Sequence, residues 1–374
     1  MCPDGSDGGS RTGCPYPVSV QLQQLAYFVA VAEVRHFTQA AELLRVAQPS
    51  LSKQIRALET ELGASLFSRA RGNITLTPAG EALLPLAKRI LADVDTARLE
   101  VQELAGLRRG RVRLGATPSL CAGLLGDVLR RFHDAYPGIE LLVEEGGSRD
   151  LVRDLTRGSL DLALVILPLH GDPPLSTAPI LREDLVVASP ASFTEPAPAP
   201  TAEQAGRAAE AGAGGRLTDR GCRLPRRPYL HISDLRDRPL VMFRSGYDLR
   251  EATIGACRAA GFEPRFAVEG GEMDAVLRFV EAGLGIAVVP SMVLAGRPGL
   301  HGTPLIITDE DDPSRGGRRV HPGHGLRRTI ALAHRKDVDL THAARAFQET
   351  LENFLVEAGL AGNLPPGVET LLTP

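Results

Sequence analysis

This 374-residue chain has no strong excess of one charge: 42 Lys and Arg stand against 45 Asp and Glu, a net −3 at neutral pH. Bulk electrostatics therefore argue for neither a nucleic-acid nor a membrane-surface protein. No run reaches the roughly 18 uninterrupted apolar residues that a membrane span needs. The opening MCPDGSDGGSRTGCPYPVSV lacks the apolar core of a secretory signal, and its composition predicts a disordered tail over residues 1–19. Five cysteines (Cys2, Cys14, Cys121, Cys222, Cys257) are odd in number and form no CxxC or Cys/His spacing. That excludes a disulfide framework and a metal site, and it fits a reduced, cytoplasmic compartment. Redox sensing by Cys121, or by Cys222 with Cys257, would need exposed, low-pKa surroundings that a sequence does not specify. The nine histidines form no clustered acid/base set, and no G-x-S-x-G or P-loop is present. No catalysis and no cofactor are expected.

What is present is ordinary globular composition, 43% hydrophobic and 23% charged, with room for two or three domains. In QLQQLAYFVAVAE, Leu22, Leu25, Phe28, Val29 and Ala32 fall at helical spacing. A second helix is predicted over Phe37–Val46, with Thr38 as its N-cap. Pro49 suits the first position of a third helix, whose Leu51, Ile55, Leu58 and Leu62 make one apolar stripe. His36, between the first two helices, is expected to be structural. After Gly63 and Leu66-Phe67, SRARGNITLT offers a Gly72-Asn73 turn and alternating Ile74 and Leu76, a small hairpin or wing. From Pro78 a long helix follows. Its Leu83, Leu86, Ile90, Val94, Ala97, Val101 and Leu104 form a near-heptad seam of the kind that pairs with a copy of itself. Thirty such residues span ~45 Å, and Pro85 should kink the helix near its start.

From Arg111 the period changes. RVRLGAT, IELLVEE, DLALVIL, DLVVASP, PLVMFRS, RFAVEGG, GIAVVP and RTIALAHR have strand character. Helical segments at Leu120–Tyr136, Asp150–Thr156, Leu249–Ala260 and Met273–Ala282 lie between them. This alternation predicts βαβ units and mostly parallel sheet. Two low-complexity stretches, residues 194–228 and 309–325, read as mobile inserts. No internal repeat is found.

The stretch FTQAAELLRVAQPSLSKQIRALETELGASLF combines two short helices with a tight break. Between residues 35 and 75 six cations face three anions. In a helix-turn-helix the second helix presents its N-terminal residues to base edges. Gln48 can contact adenine at two points, Lys53 or Arg56 can reach guanine or phosphate, and the helix start itself favours an anion. Spacing alone leaves open a solvated face on an ordinary helical hairpin.

These segments, with LAYFVAVAE, LTPAGEALLPLAKRIL, GRVRLGATPSLCAGLL, LDLALVI and MDAVLRFVEAGLGIAVVP, resemble the LysR-type transcriptional regulators. The likeness covers roughly Gln21 to Ala358 apart from the two inserts. It implies an α/β protein with an N-terminal winged helix-turn-helix (20–77), a long linker and dimerisation helix (78–108) and a two-lobed, periplasmic-binding-protein-like effector domain (109–360). Residues 361–374 are expected to form a tail. By the same resemblance Gln48, Pro49, Ser52 and Lys53 meet bases or the groove wall, and Arg56 meets phosphate. Arg69 and Arg71 approach the minor groove, and Ser50 caps or hydrates the helix start beside the DNA. The implied partners are double-stranded promoter DNA, a small organic-acid effector, a second or fourth copy of the chain, and RNA polymerase. Leu83, Leu86, Ile90, Val94 and Val101 are the expected dimerisation residues.

In two-lobed α/β folds a ligand sits at strand C-terminal ends, where helix N-termini converge. Thr117-Pro118-Ser119 follows the first strand of the second region and opens its first helix, a ready carboxylate site. Gly146-Gly147-Ser148 repeats the arrangement after the second strand, and Leu167 closes the third. From the other lobe come Phe243, Arg244 and Glu269; Arg244 could pair with an anion. The rival readings are a two-lobed ligand-binding protein, or an enzyme, in which the helix-turn-helix is only structural.

Overall fold

The computed structural model describes residues 20–68, 74–104, 110–191, 229–306 and 325–373. Residue contacts divide the chain into two units, Met1–Ala97 and Arg98–Pro374. Insert 194–228 and nearly all of insert 309–325 fall outside the described residues.

The first unit is built from α1 (Leu22–Val34), α2 (Phe37–Leu43) and α3 (Gln48–Leu62), followed by a two-stranded antiparallel hairpin, β1 (Phe67–Ser68) and β2 (Thr75–Leu76). Phe28, Val31, Phe37, Ala40, Ala41, Leu51, Ile55 and Leu58 form its core. Phe67 closes it with ring contacts to Phe28 and Phe37 at 5.4 and 5.7 Å. Three of the four expected stripe residues of α3 are buried, whereas Leu62 in the last turn is exposed. Helix α2 is shorter than its periodicity suggests. It stops at Leu43, because Arg45 turns to φ 53° and the chain doubles back. Its N-cap is His36 rather than Thr38, with Nδ1 accepting from the Gln39 N–H at 3.4 Å. Pro49 falls one place later than expected, since Ala47 is the N-cap and Gln48 the first residue of α3. Its missing N–H still costs nothing there, because the first four helix donors have no partner inside the helix.

The long helix α4 (Pro78–Leu104) runs through Pro85 without a break in its assignment, a length of ~40 Å at 1.5 Å per residue. Gly80 is required at its start: a Cβ there would lie 2.3 Å from the Leu66 carbonyl oxygen.

The second unit is organised on one nine-stranded mixed sheet among the described residues. Strands β3 (Arg111–Ala116), β4 (Glu140–Glu145) and β5 (Leu162–Leu167) are parallel and make a first lobe with α6 (Gly126–Ala135) and α7 (Ser148–Thr156). Ahead of α6, a short α5 (Pro118–Leu120) and a π-helical turn (Cys121–Leu125) complete one continuous helical run. Strand β6 (Leu175–Pro190) then crosses toward a second lobe. That lobe holds β7 (Leu230–His231), the parallel pair β8 (Pro239–Met242) and β9 (Arg265–Glu269), α8 (Asp248–Ala259), α9 (Met273–Glu281), β10 (Ala287–Pro290) and β11 (Leu300–Ile306). Strand β12 (Arg327–Arg335) returns beside β6 in the opposite direction and joins β5. The sheet is therefore less parallel than the βαβ pattern suggests: β6 and β12, which run between the lobes, pair antiparallel, as do β10 and β11 on β6.

Helix α10 (His342–Leu360) packs Phe347 edge-on against Phe132 at 5.3 Å. The expected tail carries a strand, β13 (Val368–Thr370), which pairs with Leu181–Glu183 of β6.

Candidate nucleic-acid interface and effector cleft

Helix α3 has two faces of different character. Leu51, Ile55 and Leu58 are at most 1% exposed, and burying three such side chains contributes about 1.5–3 kcal/mol each. Gln48, Pro49, Ser50, Lys53 and Arg56 are exposed on the other side, with Ser52 half-buried. Gln48 Nε2 donates to Ser52 Oγ at 2.9 Å, one turn along. Neither Lys53 nor Arg56 meets a carboxylate among the described residues. Glu59, on the same helix, accepts instead from the Leu66 and Phe67 backbone N–H groups and so ties the hairpin to α3. Arg69 and Arg71 fall outside the described residues. On α4, Leu86, Ile90 and Val101 are exposed, while Leu83 and Val94 are half-buried. Leu83 packs against the core of the first unit.

In the second unit Thr117, Pro118 and Ser119 line a small cavity with Gly147, Tyr247, Asp248, Leu249 and Arg328. It holds about 10 Å³, room for roughly one water molecule. Across its mouth the first lobe touches the second: the Ser148 N–H and Oγ both donate to Asp248 Oδ2, at 3.2 and 2.6 Å. On the floor Arg328 donates from Nη2 to Ser119 Oγ at 2.9 Å and pairs with Glu183 at 2.7 Å. Both partners are buried, Glu183 completely. Glu183 Oε1 also accepts the Met292 N–H at 2.9 Å. The Tyr247 hydroxyl is buried, with the Glu272 carboxylate and the Met273 backbone beside it. Burial first, and Glu272 second, push its pKa up, so the phenol remains a neutral donor.

The other expected ligand residues sit apart from this cavity. Phe243 is buried in the core and stacks flat on the Tyr247 ring at 4.8 Å. Arg244 is exposed, pairs with Glu272 at 2.5 Å and covers the other side of Tyr247. Glu269 binds Arg250 at 2.6 Å, and Arg250 in turn donates to the Phe243 carbonyl at 2.9 Å. These three thus brace Tyr247. Of Gly146-Gly147-Ser148, Gly147 lines the cavity and Gly146 does not. Leu167 lines a separate open concavity of about 520 Å³ with Pro168 and Lys336.

Arg328, Glu183 and Tyr247 were not singled out from sequence, although the first two left a signal. Arg328, Ile330 and Leu332 alternate onto one strand face, and Leu181, Glu183, Leu185 and Val187 onto another. A charge on the buried face of each strand was legible; that the two face each other was not.

Both described cysteines, Cys121 and Cys257, are thiols held toward the protonated form. Burial, with Glu145 as the second cause, pushes the Cys121 pKa up to about 11. Burial followed by Glu263 does the same for Cys257, also to about 11. Thiols held protonated are weak nucleophiles. Cys2, Cys14 and Cys222 lie outside the described residues.

Comparison with known proteins agrees with both halves. Residues 22–81 match the bacterial regulatory helix-turn-helix protein model, lysR family. Residues 105–214 and 216–355 match the LysR substrate binding domain. The chain is 33% identical over 276 residues to the transcriptional dual regulator GltC of Bacillus subtilis, covering 74% of this chain and 82% of that one. It is 34% identical over 339 residues to the "Probable hydrogen peroxide-inducible genes activator" of Streptomyces viridosporus, covering 90% and 94%. Among solved structures, full-length CbnR complexed with its target DNA is similar at 25% identity and a TM-score of 0.57, over 89% of this chain and 99% of that one. A two-faced third helix, a two-lobed second unit and family matches over both regions lead to one conclusion: the chain belongs to the LysR family and is a DNA-binding transcriptional regulator with an effector-binding domain.

Proposed function

We propose that the chain binds promoter DNA through α3 as a homodimer or homotetramer, and that a small organic acid held between the lobes of the second unit sets its activity. One observation carries the DNA half: α3 buries its apolar stripe and leaves Gln48, Pro49, Ser50, Lys53 and Arg56 exposed, with no carboxylate partner among the described residues. A helix entering the major groove uses its N-terminal residues in this way. Gln48 exchanges its bond to Ser52 for two bonds to an adenine edge, Lys53 reaches guanine or phosphate, and Arg56 reaches phosphate. Arg69 and Arg71 extend the contact to the minor groove. The exposed Leu86, Ile90 and Val101, with Leu83 and Val94, supply the seam between two α4 helices. The domains then fall at 20–77, 78–108 and 109–360, with both inserts as appendages of the last. The protein works in the cytoplasm and, on DNA, beside RNA polymerase. It performs no catalysis of its own.

Regulation follows from linkage. An effector that binds one lobe arrangement more tightly than another shifts the population toward it, and DNA affinity changes by the same coupling free energy. The likeness to the Streptomyces protein does not extend to peroxide chemistry at Cys121 or Cys257, whose thiols are held protonated.

The test is a fluorescence-anisotropy titration of the full chain on its own upstream region at two salt concentrations, with Gln48→Ala alongside. The expected result is tight binding that survives competitor DNA and is lost in the variant. Binding to that region and to random DNA with equal affinity, in both proteins, would overturn base reading by α3.

A further inference from the structure

Strand β6 changes partners where it leaves the first lobe. It pairs with β12 from Leu175 to Asp184, and with β10 and β11 from Leu185 and Val186 onward. Just before the change a further strand lies along it. Val368, Glu369 and Thr370 of β13 pair with Glu183, Arg182 and Leu181. Gly367 O accepts the Asp184 N–H at 2.8 Å, and Ile180 O accepts the Leu371 N–H at 2.9 Å. The segment that delivers β13 leaves α10, which the Arg131–Glu357 pair and the Phe132–Phe347 contact fix to α6 of the first lobe. It then comes up against Ser291, just past β10 of the second lobe. A Cβ on Gly367 would lie 3.1 Å from Ser291 Oγ and from Asp184 Cβ. Leu364, Val368 and Leu372 pack on the core beneath. Glu369 meets Arg182 at 3.0 Å and Arg327 at 3.9 Å, while Arg327 holds Asp184 at 2.6 Å. The match to the LysR substrate binding domain ends at residue 355, ahead of this segment.

We propose that residues 361–373 are a strap over the crossover, which resists movement of the lobes and is coupled through it to the Ser148–Asp248 contact at the cleft mouth. This rests on the reading of lobe movement as the regulatory step. A two-stranded ribbon twists more than a wider sheet. A third paired strand adds ladder bonds that rotation at residues 181–184 has to distort. The ladder and the packed Leu364, Val368 and Leu372 carry the restraint. The ion pairs add little, because Arg182 and Glu369 are 43% and 49% exposed and exposed pairs are weak. The Ser148–Asp248 contact restrains the same motion, since it joins the lobes directly. Two restraints on one motion are linked, and releasing either eases the release of the other by the same factor.

The experiment is amide hydrogen exchange on the full chain and its variants, with no DNA and no added ligand. Ser148 is the first residue of α7, and the first donors of a helix have no partner inside it. Protection of its N–H therefore depends on Asp248 in the other lobe. Ending the chain after Leu360 should speed exchange at Ser148 about fivefold or more, the lower end of coupling between sites, while the β3 and β10 amides keep their rates. Gly367→Val sets a branched side chain at φ 80° against Asp184 and Ser291. It dislodges the strap and leaves α10 whole, so it should act in the same way. In the reverse direction, Asp248→Ala should speed exchange at Asp184 and Leu371 by the same factor. Glu369→Gln should change each rate by less than about twofold, because it removes only exposed pairs.

Faster exchange confined to residues 180–184 in both strap variants, with Ser148 unchanged, would overturn the proposal, because the segment would then be only a local cover. Faster exchange in β3 and β10 as well, in both variants, would overturn it too, since the segment would then support the whole fold. Asp248→Ala without effect at Asp184 and Leu371 would break the required reciprocity and have the same consequence. If the shortened chain does not fold, Gly367→Val and Asp248→Ala carry the test. Neither DNA nor effector takes part in these rates, so a negative result leaves lobe-driven regulation standing. That reading is tested apart, by the DNA affinity of the strap variants. Unchanged affinity beside a coupled exchange response would sink the reading and keep the strap.

Discussion

On helix α3, Lys53 and Arg56 stand exposed and meet no carboxylate among the described residues. In the second unit, by contrast, Arg113 is held by Asp161, Arg250 by Glu269, Arg327 by Asp184 and Arg328 by Glu183. Both regions draw on the same residue types in a chain of nearly balanced charge. The difference lies in where the counter-charge resides. In the proposed DNA complex phosphate backbones outside the molecule supply it for the first set; carboxylates inside supply it for the second. Net charge of the whole chain hides this division, because the internal pairs cancel and the small excess of six cations over three anions between residues 35 and 75 does not register in the sum.

The contrast can be broken most sharply at Glu183. Glu183→Ala leaves Arg328 buried and uncompensated and should cost about 3–5 kcal/mol of second-unit stability, measured by urea unfolding; a loss below about 1 kcal/mol would mean the pair is not structural. On the other side, Gln48→Ala should cost about 1–3 kcal/mol of discrimination at one base pair. Binding to a panel of single-base operator variants checks it, and uniform weakening across the panel would contradict base reading. Arg56→Ala should change stability by no more than about 0.5 kcal/mol yet flatten the salt dependence of DNA binding by about one unit. An unchanged slope would remove Arg56 from the phosphate contacts.

The smallest expected effect concerns charge at the cleft edge. Burial first, then Glu272 and Asp274, raise the Glu145 pKa above 4.5. A carboxyl raised in the folded state contributes stability fully below its unfolded pKa, and loses it as pH climbs through the folded value. Stability should therefore decline as pH climbs through the raised value, and Glu145→Gln should flatten that part of the melting profile. A profile identical to wild type would mean Glu145 is solvated.

Much of the first unit was legible because its contacts are local. The stripe Leu51, Ile55, Leu58 lies on one helix, and the exposed polar face follows from the same 3.6-residue period. The strands that were missed had local reasons to be missed. Strand β11, LHGTPLI, carries Gly302 and Pro304, both poor strand residues. The first half of β6 contains Pro179, which sits where the ladder to β12 loses register between Ile330 and Ala331. Helix α10 had readable marks in Thr341 as N-cap and in Phe347, Leu351 and Leu355 at four-residue steps, all buried.

At the cleft, Thr117, Pro118 and Ser119 could be named from sequence because a strand end followed by a helix start is a local pattern. Phe243, Arg244 and Glu269 were named by the same rule but stand behind Tyr247, one layer removed from the cavity. A strand end gives the neighbourhood of a site, while rotamer and packing decide which side chain enters it.

What the residues determined by themselves were the amphipathic periods, the helix-turn-helix order, the polar face of α3 and the long apolar seam of α4, because each depends on neighbours within a few turns. Tertiary structure alone decided that Arg328 faces Glu183 across 145 positions of sequence, that Ser148 of one lobe meets Asp248 of the other, and that residues 368–370 close onto β6. Strand register brings such partners together, and register is set by the fit of whole sheets and their cores, which no local period records.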